Sequence, residues 1–205
     1  MGGVSRLLIA GLAVALGSPP AWAGIPEAAN STVPNVVYNP TGSKEYIVVI
    51  RDAGNNPLQD IEVRIQFSAE ADTTVCWCVG QVHPLIGATT DVNGEASFFI
   101  SAGGCLDPGH YADPPISVFA NGVLMGEVGG VSADVVDGSG NLPHEGWNPG
   151  GSCVNGLPDA VYFTPPIQTG FYDYCTDFNS DGAVDLNDAV FITVPISQGQ
   201  ACVAQ

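Results

Sequence analysis

Ile61-Glu62-Val63-Arg64-Ile65-Gln66-Phe67 alternates four apolar residues with three polar ones. That period of two places one face of a β-strand in a core and the other in water. Just upstream, Glu45-Tyr46-Ile47-Val48-Val49-Ile50-Arg51 is rich in β-branched residues and Asp52-Ala53-Gly54-Asn55-Asn56-Pro57 supplies turn chemistry, so the two runs read as strand, turn, strand. Downstream, Asp91-Val92-Asn93-Gly94 is a turn signal leading into Glu95-Ala96-Ser97-Phe98-Phe99-Ile100. Asn121-Gly122, between Ile116-Ser117-Val118-Phe119-Ala120 and Val123-Leu124-Met125-Gly126-Glu127-Val128, is a two-residue hairpin signal. Short strands at this spacing, over about residues 30–132, predict an antiparallel β-sandwich in a mainly β protein.

The chain around this module has 205 residues, with 21 acids against 4 bases and a formal charge of −17. Only 12% of residues are charged while 45% are hydrophobic and mean hydropathy is +0.22, which excludes a polar disordered chain. Arg64 is the last base, so no Lys or Arg occurs from Ile65 onward. Nucleic-acid and anionic-membrane partners are thereby excluded, because both need clustered bases to displace counterions. The 26 Gly and 16 Pro predict many turns and few long helices.

Residues 1–23 carry one base, Arg6, then the apolar run Leu7-Leu8-Ile9-Ala10-Gly11-Leu12-Ala13-Val14-Ala15-Leu16, and close on Ala21-Trp22-Ala23. This is the pattern of a secretory signal peptide with an A-x-A cleavage site; the run is about ten residues where a span needs roughly twenty. The expected mature protein is secreted or held at the cell surface, without membrane insertion after cleavage. Its six cysteines, 76, 78, 105, 153, 175 and 202, read as disulfides in an oxidising compartment. Cys76 and Cys78 flank Trp77 and face the same way if extended, and one of them with Cys105 is the favoured first pair. Three cysteines in each half of the chain predict one bridge within each half and a third joining them. A zinc site from these cysteines with His83, His110 or His144 is the competing reading, but no C-x-x-C or H-x-x-x-H spacing supports it.

The sharpest chemical signal is Asp177-Phe178-Asn179-Ser180-Asp181-Gly182-Ala183-Val184-Asp185-Leu186-Asn187-Asp188. Counted from Asp177, side-chain oxygens fall at positions 1, 3, 5, 9 and 12, glycine at 6 and a β-branched apolar residue at 8. Ca²⁺ is a hard cation that takes oxygens converging on one point, and Gly182 permits the sharp turn this requires. The expected ligands are Asp177, Asn179, Asp181, the Ala183 carbonyl, Asp185 and Asp188, in an EF-hand-type loop with Asp in place of Glu at its last position. Val184 is expected to face a core, and residues 186–193 to form the exit helix.

Val154-Asn155-Gly156-Leu157-Pro158-Asp159-Ala160-Val161-Tyr162-Phe163-Thr164-Pro165-Pro166-Ile167 repeats Val184-Asp185-Leu186-Asn187-Asp188-Ala189-Val190-Phe191-Ile192-Thr193-Val194-Pro195-Ile196 with one single-residue gap, placing Asp159 where Asp188 stands. The acidic part of the earlier copy is Asp134-Val135-Val136-Asp137-Gly138-Ser139-Gly140-Asn141, with an insertion containing Trp147 and Cys153 behind it. Asp137, Ser139, Asn141 and Asp159 are the candidate ligands of that enlarged, diluted loop.

The pieces Val48 to Leu58, Val63 to Phe67 and Thr90-Asp91-Val92-Asn93-Gly94-Glu95-Ala96-Ser97-Phe98 resemble the bacterial immunoglobulin-like domains of secreted and surface proteins, with Cys76-Trp77-Cys78 as a departure. The paired D-x-N-x-D-G-x-V-D-x-x-D repeats resemble the dockerin type I module. After the signal peptide over 1–23, these resemblances imply an immunoglobulin-like β-sandwich over 24–131 and, over 132–205, a small helical, dockerin-like pair of EF-hand-type repeats, the first degenerate. They imply a secreted, non-catalytic, calcium-binding structural or adhesion module. The alternative is an accessory of an extracellular polysaccharide-degrading system that docks to a cohesin-like or cell-surface protein. No G-x-S-x-G, H-E-x-x-H or phosphate-binding glycine loop occurs, so no enzyme is expected.

Overall fold

The computed structural model describes residues 24–136 and 151–205. The expected signal peptide and residues Asp137, Ser139, Asn141, His144 and Trp147 lie outside the described residues. Among the described residues, ten strands and three α-helices follow in chain order: β1 (Val36–Tyr38), β2 (Glu45–Val49), β3 (Glu62–Phe67), α1 (Ala69–Thr74), β4 (Cys76–Trp77), β5 (Leu85–Thr89), β6 (Glu95–Phe99), β7 (Ala102–Gly103), β8 (Ile116–Ala120), β9 (Val123–Val128), β10 (Gly130–Ser132), α2 (Leu157–Thr169) and α3 (Leu186–Gln198). The architecture is mixed, with more strand than helix: several small sheets, then two helices.

β3 is the organising strand. Val63, Ile65 and Phe67 are buried while Glu62, Arg64 and Gln66 face solvent, and Ile61 just before it is buried as well, so the alternation holds throughout. It lies between β5 and β8 in the antiparallel order β5-β3-β8-β9. β8 turns into β9 through Asn121 (φ 46°) and Gly122 (φ 80°), two successive positive φ angles of the kind that match hairpin twist. The turn at 52–57 is also present, with Asp52 Oδ1 accepting from the Gly54 and Asn56 N–H groups at 2.9 and 2.8 Å. The strands it joins enter different sheets, however: β2 pairs antiparallel with β6. β1 with β10 and β4 with β7 form two further pairs, the first of them parallel.

The inward residues of β2 and β6 (Tyr46, Val48, Ala96, Phe98) meet those of β3 and β8 (Val63, Ile65, Val118) in one core. A second core gathers Cys105, Val131, Ala133, Val135, Val136, Phe163, Cys175 and Phe178, so segments after β10 share an interior with segments before it. Complete burial of each large aliphatic or aromatic side chain contributes about 1.5–3 kcal/mol, which makes this shared interior a principal reason the tail stays docked.

The second long helix exceeds expectation. The exit helix, expected over 186–193, runs through Pro195 to Gln198, and α2 runs through Pro165 and Pro166. An interior proline forfeits one backbone hydrogen bond and clashes with the preceding turn. Here the buried Pro166 ring and the packing of α2 on α3 offset that cost. Each helix stops at a glycine in the left-handed region, Gly170 (φ 64°) and Gly199 (φ 54°).

All six cysteines are paired, as Cys76–Cys153, Cys78–Cys202 and Cys105–Cys175. The expected pairing of Cys76 or Cys78 with Cys105, and of one bridge within each half, is therefore corrected: every bridge joins the early part of the chain to the late part. Cys105 follows β7, which does pair with β4, but its side chain enters the second core, where Cys175 lies. Disulfides of this number are characteristic of an oxidising, extracellular-type compartment. Among the described residues, no helix is long and apolar enough to cross a membrane.

Candidate metal centre

The loop 177–188 connects a short 3-10 turn at Tyr174–Thr176 to α3. Its first residue, Asp177, is only 3% exposed, and its last, Asp188, is fully buried. Asn179, Asp181, Ala183 and Asp185 are exposed, and Val184 is buried as expected. Gly182 has φ 82°, the conformation that the position-6 glycine supplies.

The loop is built by its own side chains. Asp177 Oδ1 accepts from the Asp181 N–H at 3.2 Å and Oδ2 from the Gly182 N–H at 3.0 Å. Asn179 Oδ1 accepts from the Asp181 N–H at 2.9 Å, and Asp181 Oδ1 from the Ala183 N–H at 2.9 Å. Asp185 is the N-cap of α3, accepting from the Asn187 N–H at 2.7 Å. Asp188 closes the capping box: Oδ2 accepts from the Asp185 N–H at 3.0 Å, while Oδ1 reaches back to the Phe178 and Asn179 N–H groups at 2.8 and 3.3 Å.

The earlier repeat copies this closure. Asp159 Oδ2 accepts from the Gly156 N–H at 2.7 Å, and Oδ1 from the Val135 and Val136 N–H groups at 2.9 and 3.0 Å. Asp134-Val135-Val136 thus corresponds to Asp177-Phe178-Asn179, and the internal repeat is structural as well as sequential. Exposed apolar positions repeat too: Leu157 and Leu186 are 79% and 77% exposed, Val161 and Val190 are 70% and 67%.

Burial pushes the Asp177 carboxyl above the ordinary carboxylate range; the Gly182 N–H opposes this and the charge of Asp188 adds to it. Two buried carboxylates in one loop call for positive charge. The ion pairs among the described residues are Arg64–Glu62, His83–Asp72 and His110–Asp107, and none of them reaches the loop. The chemistry of the donor set, all oxygen and mostly anionic, fits a hard divalent cation. The loop carboxylates are not gathered as a cage: among the described residues, the set of three His, Cys, Asp or Glu side chains with ligand atoms all within 4.8 Å of one another is Cys78, Cys153 and Cys202.

Three features were not legible beforehand. Asp134 is fully buried; its Oδ1 accepts from the Ser152 N–H and hydroxyl at 2.9 and 3.2 Å, while Oδ2 has no hydrogen-bond partner among the described residues. His83 stacks on Trp77 with ring centroids 4.6 Å apart. Its Nδ1 lies 2.7 Å from Asp72 Oδ1 and its Nε2 3.2 Å from Gln205 Oε1, so both ring nitrogens are engaged. Lys44 Nζ sits 4.2 Å from the centre of the Phe191 ring, a cation–π contact that ties the start of β2 to α3. No family model, no curated protein and no solved structure matches the chain.

Proposed function

We propose that this protein is a secreted, non-catalytic module with a structural or adhesive role, and that Ca²⁺ bound by Asp177, Asn179, Asp181, the Ala183 carbonyl, Asp185 and Asp188 stabilises its C-terminal part. The observation carrying this reading is the burial of Asp177 and Asp188 in a loop whose carboxylates, among the described residues, form no ion pair with a Lys or Arg. In the same reading, residues 24–131 are an immunoglobulin-like sandwich, residues 132–205 a dockerin-like pair, and the chain is exported by the signal peptide at 1–23. Calcium has the larger radius and flexible coordination that suit a many-oxygen protein cage, whereas Mg²⁺ keeps its waters.

At a free calcium concentration about one hundred times the dissociation constant, binding adds roughly 2.7 kcal/mol to the folded state. For a chain of this size that raises the melting temperature by roughly 5–10 °C relative to chelator. Calorimetry and thermal unfolding, each in calcium and in EDTA, measure this. Asp177→Ala should reproduce most of the chelator effect. Absence of binding heat together with coincident melting curves overturns the reading.

The duplicated exposed pairs Leu157/Val161 and Leu186/Val190 favour a second reading, in which the two helices present equivalent apolar surfaces to a cohesin-like partner of a polysaccharide-degrading system. A pull-down against a cohesin panel separates the two: retention in calcium and release by chelator support docking, and no retention leaves the stand-alone module.

A further inference from the structure

Two of the three disulfides are neighbours. Cys78, Cys153 and Cys202 carry sulfurs that all lie within 4.8 Å of one another although they belong to two different bonds, and the fourth sulfur, of Cys76, is covalently attached to Cys153. In a tetrahedral Cys₄ zinc site with Zn–S bonds of about 2.3 Å, sulfurs stand about 3.8 Å apart. Three of the four sulfurs therefore already lie within the span of such a site, and that of Cys76, outside their 4.8 Å group, reaches it by turning about its own side chain once the bond to Cys153 is broken. Cys78 and Cys153 are buried and Cys76 and Cys202 half-buried, a dry setting with a path to solvent.

The backbone around the sulfurs is held by bonds that do not depend on the disulfides. Cys76 pairs with Gly103 across β4 and β7, and the Cys78 N–H donates to the Ser101 carbonyl at 3.1 Å. The Cys202 N–H donates to the Cys153 carbonyl at 3.0 Å, the Asn155 N–H to that of Gln200 at 2.7 Å and the Val79 N–H to that of Val203 at 2.8 Å. Cys153 is set at φ 60°, turning the chain into this cluster.

We propose that, in the reduced chain, Cys76, Cys78, Cys153 and Cys202 form a zinc site, so that this corner of the molecule exchanges two disulfides for one thiolate-bound metal. A dithiol reductant supplies two electrons and two protons to each S–S bond and is itself oxidised to a cyclic disulfide, leaving four thiols. Zinc then binds the four sulfurs as thiolates and up to four protons are released. This site is distinct from the oxygen-rich loop 177–188 in residues and in metal preference, because soft thiolates select zinc and hard carboxylates select calcium.

The test is metal titration of the protein reduced by a dithiol and freed of reductant under anaerobic conditions. Expected are one zinc per chain and proton release. With Co²⁺ as a probe, a sulfur-to-cobalt charge-transfer absorption should appear in the near ultraviolet. Cys153→Ser, reduced in the same way, should bind zinc at least 100-fold more weakly, whereas the Cys105→Ser/Cys175→Ser double variant should keep the wild-type affinity. The oxidised chain should show no cobalt–thiolate band. Circular dichroism of the reduced wild type, with and without zinc, serves as a fold control, and strand signal retained or restored by zinc supports the proposal. It is overturned if the reduced wild type takes up no zinc, if it stays unfolded with zinc present, or if Cys153→Ser binds as tightly as wild type.

Discussion

Replacing Cys105 and Cys175 together by alanine is expected to lower the stability of the oxidised protein by about 4 kcal/mol. This bridge closes a separation of 70 residues, and the chain-entropy model places such a loop between the roughly 3 kcal/mol of a 15-residue loop and the roughly 4.7 kcal/mol of a 100-residue one. Both residues are essentially inaccessible and stand among Val131, Ala133, Phe163 and Phe178, so the missing sulfurs also leave space in the second core. In a chain of this length the melting temperature should fall by roughly 8–16 °C. Thermal unfolding followed by circular dichroism under non-reducing conditions reads the change. A melting temperature within a degree of wild type would show that packing alone holds the tail in place.

Asp134→Asn is expected to act in the opposite direction and only at higher pH. Burial pushes the Asp134 carboxyl up to about 7 from its ordinary 3.8; the Ser152 N–H opposes the rise and the charge of Asp159 adds to it. A carboxyl whose pKa is higher folded than unfolded favours folding fully below about pH 4, and that contribution disappears as pH rises through 7. Each pH unit between those two values weakens the wild type by about 1.4 kcal/mol on account of this group, up to about 4 kcal/mol across the window. Asparagine keeps an oxygen for Ser152 without the charge, so the variant should match wild type near pH 4 and exceed it at pH 8. Melting curves of both proteins at the two pH values measure the difference, and parallel pH dependences would remove Asp134 as the cause.

Local features were legible in the chain and long-range partners were not. The period-two pattern at 61–67, the Asn121-Gly122 hairpin and the turn at 91–94 all stand in the structure because each is set by residues that touch one another along the chain. Turn signals say that a strand ends, but not which strand it will meet, so β2 finds β6 rather than β3. The Asp159–Asp188 equivalence came from aligning two stretches of sequence and reappears as matching hydrogen bonds, since a capping carboxylate three residues into a helix has few other places to bond. The odd count of cysteines in each half misled, because three and three equally allow three crossings. The prolines misled in a different way: side-chain packing between α2 and α3 outweighs a penalty that a single helix would show in isolation. The burial of Asp134 left no trace in its neighbours, because the polar groups facing it come from Ser152 and from Asp159.

Since all three bridges span the stretch between Cys105 and Cys153, a protease cutting the backbone once anywhere within that stretch produces two polypeptides that remain one covalent molecule. Neither fragment can diffuse away, and each keeps the other at high local concentration. In the oxidising, extracellular-type compartment that three disulfides suggest, such a nick is survivable damage.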